Sequence, residues 1–256
     1  MVNILETQDL SFSWSPTRDE WFQHLLLKLE GGHIYGLMGR NGAGKTTMIK
    51  LLCGCLRPHS GASLIQVGGH QLVAAERRPE ALAEIVFVPE SADLPPVTPP
   101  ELAKLVGPLY PRFSEDTFAA HLEALEIPRD VKIPRLSFGQ RRKVHIAFAL
   151  ATNASLVFLD EPSNGLDIAA QIVLRKLLIA HIAADRSVVV STHHVREFEH
   201  VVDEVLVLEH GRILAHESVA ALQESGDFED LESWYARLIG VSSSPNAMRT
   251  SHHERI

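Results

Sequence analysis

Cysteine is nearly absent: the 256 residues hold only Cys53 and Cys55. Two thiols one residue apart give neither a disulfide framework nor a zinc-type ligand spacing, and a reducing cytoplasm is the expected surroundings. Long apolar runs are missing too. The longest, Val144 to Leu159, is broken by His145, Thr152, Asn153 and Ser155 and falls short of the roughly 18 to 20 residues that span a bilayer. The first residues show no basic stretch leading into an apolar one, so no signal peptide is expected. Positive charge is scarce: 24 Lys and Arg stand against 32 Asp and Glu, a net charge of −8. A general nucleic-acid binder usually has the opposite balance, so no nucleic-acid partner is expected. The one compact basic cluster, Arg141-Arg142-Lys143, reads as the solvated first turn of a helix. Internal repeats and low-complexity tracts are also lacking.

Gly39-Arg40-Asn41-Gly42-Ala43-Gly44-Lys45-Thr46-Thr47 fits the phosphate-loop pattern of Gly, four residues, Gly, Lys and Ser or Thr. It follows a short apolar run, Ile34 to Met38, and precedes a segment with helical spacing, the strand, loop and helix context that the pattern requires. Glycines let such a loop wrap so that backbone N–H groups face phosphate oxygens, and the helix N-terminus adds partial positive charge. In this reading Lys45 reaches the β- and γ-phosphates and the Thr46 hydroxyl ligates Mg²⁺.

Before the loop, residues 2 to 14 and 22 to 29 alternate like an antiparallel strand pair. The first ends in Phe12-Ser13-Trp14, where a ring can stack on a purine; Trp14 is the first choice and Phe12 the second. After the loop, strands are expected at 62–67 and 85–88, the latter ending near Glu90. Prolines punctuate residues 91 to 134, which read as helical segments around 101–106 and 115–125, a small lobe inserted into the core. Leu136-Ser137-Phe138-Gly139-Gln140 opens a further helix. The apolar strand Leu156 to Leu159 delivers Asp160 and Glu161 at its C-terminal end, where α/β sheets place their ligand chemistry. Asp160 can bind Mg²⁺ and Glu161 can orient an attacking water or take its proton. A helix over 169–183 leads to the strand 187–191, which ends at Thr192-His193-His194, and His193 can donate to a γ-phosphate. Then come a hairpin over 205–215 and a helix over 219–239. A polar tail, 241–256, is expected to be disordered.

In this order the motifs resemble the ATP-binding subunit of an ABC transporter, over roughly residues 3 to 240. Gly39 to Thr46 looks like the Walker A loop, Leu136 to Gln140 like the signature, Leu156 to Glu161 like Walker B with its catalytic Glu, and Ser163 to Asp167 like the D-loop. His193 matches the switch histidine and Trp14 the adenine-stacking ring. Two positions depart: Phe138 replaces the first signature glycine, and Glu90 stands where the family usually has a Gln that contacts Mg²⁺. The segment from Leu109 to Arg135 looks most like single-domain ATPases of bacterial ABC-2 type transporters, mostly exporters.

The resemblance implies an α/β P-loop NTPase (RecA-like) core, about 1–90 and 138–240, with an N-terminal antiparallel β subdomain and an inserted helical lobe, about 91–137. It implies ATP hydrolysis with Mg²⁺ held by Thr46, Asp160 and Glu90, in a head-to-tail dimer of ATPase subunits. Lys45, Glu161 and His193 act within one subunit; Ser137, Phe138, Gly139 and Gln140 reach the partner's ATP, and Asp167 lines the seam. A separate multi-span permease at the cytoplasmic face of the membrane is the implied partner. A soluble ABC ATPase of the iron–sulfur assembly type and a low-turnover regulatory subunit share the same motifs.

Overall fold

The computed structural model describes residues 2–15, 21–91, 94–226 and 228–240; the expected polar tail and most of the turn before Trp21 lie outside the described residues. Ten residues from the N-terminus form β1 (Asn3–Phe12), which pairs antiparallel with β2 (Phe22–Leu25) and β3 (Lys28–Glu30) on one side. The expected single strand over 22–29 is therefore two short ones. The Thr7 hydroxyl fits the break: it donates to Leu25 O at 2.7 Å and accepts from Leu27 N at 2.8 Å, so the interrupted ladder leaves these groups satisfied. Beyond β1 lie β5 (Ser60–Val67) and β6 (His70–Val73), which complete an antiparallel sheet in the order β2-β1-β5-β6, with β3 beside β1.

The second sheet has six strands. Its central members, β4 (Ile34–Met38), β8 (Leu156–Asp160) and β9 (Ser187–Thr192), are buried at every position. Continuous apolar strands of this kind suit a parallel sheet covered on both faces. The order is β11-β10-β4-β9-β8-β7, where β7 is Ile85–Val88, β10 Glu204–Glu209 and β11 Arg212–Ser218. All neighbours are parallel except the edge pair of β10 and β11. Helix α1 (Lys45–Leu52) and the antiparallel sheet share one core with one face of this sheet, around Leu37, Met48, Ile49 and Phe158.

The other face is covered by α5 (Phe138–Ala151) and α6 (Ile168–His181). In sequence between β6 and α5 lie α2 (Pro79–Ala83), α3 (Pro99–Val106) and α4 (Glu115–Ala124). A third core joins α3 and α4 through Leu102, Phe118 and Leu122 to Val144, Ala147 and Phe148 of α5. Phe148 meets Phe113 at 5.0 Å and Phe118 at 5.6 Å between ring centroids. Helix α5 thus serves two cores: its residues Ile146, Ala149 and Leu150 face the sheet while Val144, Ala147 and Phe148 face the lobe.

The expected helix over 219–239 is two: α7 (Val219–Glu224) and α8 (Leu231–Leu238). Gly226 has φ of +82°, the left-handed stop common after a helix C-terminus. Asp230 then starts α8 by accepting from Ser233 N at 2.6 Å.

Candidate nucleotide site

Register decides what meets at the sheet edge. Met38 pairs with Thr192 across β4 and β9, and Asp160 with Ser191 across β8 and β9. These strands therefore end level, and the loops that follow them, with the phosphate loop, Glu161 and His193, open on one side. That is the carboxyl edge of a parallel sheet, where such folds bind ligands. A cleft of about 990 Å³ lies there, lined by Trp14, Arg40, Asn41, Gly42, Gly44, Lys45, Thr46, Thr47, Glu90, Asp160, Glu161 and His193 among others.

Gly44 precedes α1 with φ of +106°, and a Cβ there would sit 2.6 Å from the Trp21 indole nitrogen. Both the backbone conformation and the ring above it thus call for glycine. The N–H groups of the first turn of α1 have no intrahelical acceptor and no side-chain cap, so they are available to an anion together with the helix dipole. Gly39 and Ala43 shape the loop from behind: Gly39 O accepts from Lys45 Nζ at 2.8 Å, and Ala43, itself buried, donates from its N–H to Arg40 O at 3.0 Å.

Lys45 and Glu161 are both buried, and Lys45 Nζ lies 3.4 Å from Glu161 Oε1. The other carboxylate oxygen, Oε2, is 3.0 Å from His193 Nδ1. Glu161 itself has φ of +49°, a costly conformation for a residue with a side chain, which clusters at functional positions. Its N–H is held by Ser191 O at 3.0 Å. Thr46 Oγ1 donates to Asp160 Oδ2 at 2.6 Å, and Ser191 Oγ donates to the other oxygen of Asp160. A hydroxyl and a carboxylate in contact are hard oxygen donors that fit Mg²⁺, which is commonly held by one or two carboxylates together with substrate phosphates. Among the described residues no cluster of three His, Cys, Asp or Glu forms a metal cage. Glu90 also lines the cleft, where its Oε1 accepts from Asn164 Nδ2 at 2.8 Å.

Of the two rings, Trp14 is 60% exposed on the cleft and Phe12 is 6% exposed in the core. Phe12 is therefore withdrawn as a stacking surface; it supports Trp14 edge-on, with centroids 5.2 Å apart. A second indole on the cleft wall, Trp21, went unread in the sequence.

The signature residues stand outside this cleft. Ser137 caps α5, accepting from Gln140 N at 3.2 Å, while Gln140 Oε1 accepts from Ser137 N at 3.0 Å. Phe138 is half exposed beside Gly165, and a Cβ on Gly139 would meet Gly165 O at 2.4 Å. Asp167 caps α6, accepting from Ala170 N at 2.7 Å, with its side chain largely exposed.

Arg142 corrects the reading of the basic cluster as a solvated turn. It is 5% exposed, and its guanidinium donates to five backbone carbonyls: Pro162 at 3.2 Å, Pro89 at 3.4 Å, and Glu90, Asp160 and Glu161. One fork ties the loop after β7 to the loop after β8 and so fixes Glu90 relative to Asp160 and Glu161. Burial lowers its pKa, opposed by the three nearby carboxylates.

The family described as ABC transporter matches residues 22–164. The Nod factor export ATP-binding protein I of Burkholderia lata is 32% identical over 209 residues, which cover 78% of this chain and 67% of that protein. The daunorubicin/doxorubicin resistance ATP-binding protein DrrA of Streptomyces peucetius is 30% identical over 235 residues, covering 88% and 68%. A solved ATP-binding subunit of an ABC transporter superposes with a TM-score of 0.81 at 26% identity, covering 92% of this chain and 99% of that one.

Proposed function

The chain belongs to the ABC transporter family, and on that premise we propose that it is the ATP-hydrolysing subunit of an exporter whose membrane-spanning part is a separate chain. Lys45 and the N–H groups of residues 39 to 47 hold the β- and γ-phosphates, and Trp14 covers the adenine. Thr46 and Asp160 hold Mg²⁺, with Glu90 as a further carboxylate; the ion supplies charge neutralisation on the phosphate oxygens. Glu161 orients the attacking water and accepts its proton, and the leaving ADP takes up the negative charge that Lys45 and the loop N–H groups offset. His193, in contact with Glu161, positions that carboxylate and faces the γ-phosphate.

The observation that carries this reading is the convergence of Lys45, Glu161 and His193 within 3.4 Å links, beside the contact of Thr46 with Asp160 in the same cleft. A second copy supplies Ser137, Phe138, Gly139 and Gln140, with Asp167 at the seam. The export direction is supported by two relatives named for Nod factor export and for drug resistance. Among the described residues no helix is long and apolar enough to cross a membrane; in the proposed assembly a separate chain provides the span and this chain sits at the cytoplasmic face of the membrane.

Glu161→Gln tests the chemistry. It is expected to keep ATP binding and lower turnover by roughly 10² to 10³-fold, the effect of losing a positioned base; turnover within about twofold of the parent would remove Glu161 from that role. The same variant, tagged and recovered with Mg-ATP from detergent-solubilised native cells, tests the partner. A multi-span membrane protein is expected with it, and a soluble complex without one would sink the exporter reading.

A further inference from the structure

Away from the nucleotide cleft, the chain turns sharply at Cys53-Gly54-Cys55. Cys53 closes the last turn of α1, with its N–H on Ile49 O at 2.9 Å, and Cys55 N–H returns to Lys50 O at 2.8 Å. Gly54 between them has φ of +71°, and a Cβ there would lie 2.1 Å from Ala74 O. No other residue fits that turn, and it brings the two side chains onto the same side: Cys53 Sγ lies 3.4 Å from Cys55 Sγ. A disulfide needs about 2.05 Å, so the two sulfurs stand about 1.4 Å from bonding distance. The two thiols differ in access. Both line a cavity of about 420 Å³ that also presents Arg77, Leu82, Phe87 and Tyr110, but Cys53 is only 4% exposed whereas Cys55 is exposed.

The electrostatics are asymmetric in the same sense. Arg77 Nη1 lies 3.8 Å from Cys55 Sγ and also donates to Gly54 O at 3.3 Å, which fixes the cation over the turn. The hydrogen bond from Cys53, then Arg77, brings the Cys55 thiol down to about 6, while the same contact and burial push Cys53 up. An accessible thiolate beside a cation is the attacking partner in thiol chemistry, and a buried neutral thiol next to it is the resolving one.

We propose that Cys53-Gly54-Cys55 is a redox-active dithiol site, in which Cys55 reacts with peroxides and Cys53 resolves the product to an intramolecular disulfide. The Cys55 thiolate attacks one oxygen of hydrogen peroxide: an S–O bond forms, the O–O bond breaks, and hydroxide leaves to become water. Cys53 Sγ then attacks Cys55 Sγ; the S–S bond forms, the S–O bond breaks, and the departing hydroxide takes the Cys53 proton. Two thiols and one peroxide give one disulfide and two waters. This site is independent of the ATPase reading, since neither thiol touches the nucleotide cleft.

The test treats the reduced full-length protein with hydrogen peroxide in modest excess and reads free thiols, peptide masses and trapping by dimedone, a sulfenic-acid reagent. The parent protein is expected to lose both thiols together, yield a peptide with the two cysteines joined, and trap little dimedone. Cys53→Ser is expected to stop at the sulfenic acid and carry dimedone on Cys55. Cys55→Ser is expected to consume peroxide at least about tenfold more slowly, because only the buried thiol remains. The idea fails if the parent keeps both thiols, if its Cys55 traps as much dimedone as in Cys53→Ser, or if the disulfide joins two chains. The measurement on the parent protein decides the matter even if a variant does not fold.

Discussion

Two indoles, Trp14 and Trp21, line the nucleotide cleft. Trp14 is braced edge-on by Phe12, yet most of the indole stays exposed on the cleft. Stacking of a base on such a ring is worth about 1 to 3 kcal/mol by alanine substitution. Trp14→Ala is therefore expected to weaken ATP binding by roughly 5- to 150-fold with turnover at saturation largely kept, as read from ATP titrations followed by the fluorescence of Trp21 and Trp234. An unchanged affinity would transfer the stacking role to Trp21. At this scale the sequence is legible wherever a position depends on spacing: the places of the phosphate loop, Asp160-Glu161 and His193 follow directly from strand ends. Trp21 was not legible, because its place over Gly44 depends on a turn whose path spacing does not specify. The left-handed backbone of Glu161 was equally hidden, since nothing about a Glu before Pro162 announces it.

Helix α5 is the element on which the most depends. It opens with the capped signature, builds the lobe core with Phe148, covers the sheet with Ile146 and Leu150, and sends Arg142 under the catalytic loops. A signal for Arg142 did exist. It precedes Ile146 by four residues and Ala149 by seven, which places it on the buried stripe of the helix; the rule that clustered basic residues are solvated outweighed it. The split of α7 from α8 was similarly signalled by Gly226, a common helix terminator, and masked by the apolar spacing on both sides. Arg142→Lys keeps the charge and loses the planar fork, so several buried carbonyls lose their donor. Stability is expected to fall by about 2 to 3 kcal/mol, and turnover by roughly 10- to 100-fold from displacement of Asp160 and Glu161. Chemical denaturation and steady-state ATPase assays check the two separately. A stability loss without a turnover loss would confine Arg142 to a packing role.

For the molecule as a whole, pH and assembly are the two variables that the structure makes specific. His181, at the end of α6, is buried at 5% exposure, with Nε2 lacking a partner among the described residues. Burial, followed by the nearby Arg186, brings its pKa down to about 4 from the usual 6.5. Between these values the unfolded chain binds a proton that the folded chain does not, so the folded state loses stability as pH falls from 6.5 towards 4, by up to about 3 kcal/mol. Burial, followed by Arg142, also brings His145 down to about 4, so His181→Leu is expected to remove only part of the slope of a denaturation-midpoint profile over that range; an unchanged slope would assign the acid sensitivity to His145 or elsewhere. Assembly follows from where the signature lies. Ser137 and Gln140 are bonded to each other at the start of α5 and stand outside the cleft of their own copy, which suits the proposed role in a second copy's site. In the proposed head-to-tail pair, two copies complete both sites, the N-terminus of α5 faces the partner's phosphates, and the added contact forms only with nucleotide bound. Glu161→Gln, for which ATP binding with slow turnover is predicted, is thus expected to be monomeric alone and dimeric with Mg-ATP in sedimentation, and Ser137→Ala in that background to weaken the dimer. The cap that Ser137 also provides is worth about 1 kcal/mol, so the control is the monomer's own denaturation midpoint. Loss of dimer beyond what that midpoint explains supports a role across the seam, whereas a nucleotide-independent dimer, or none, would refute the composite site.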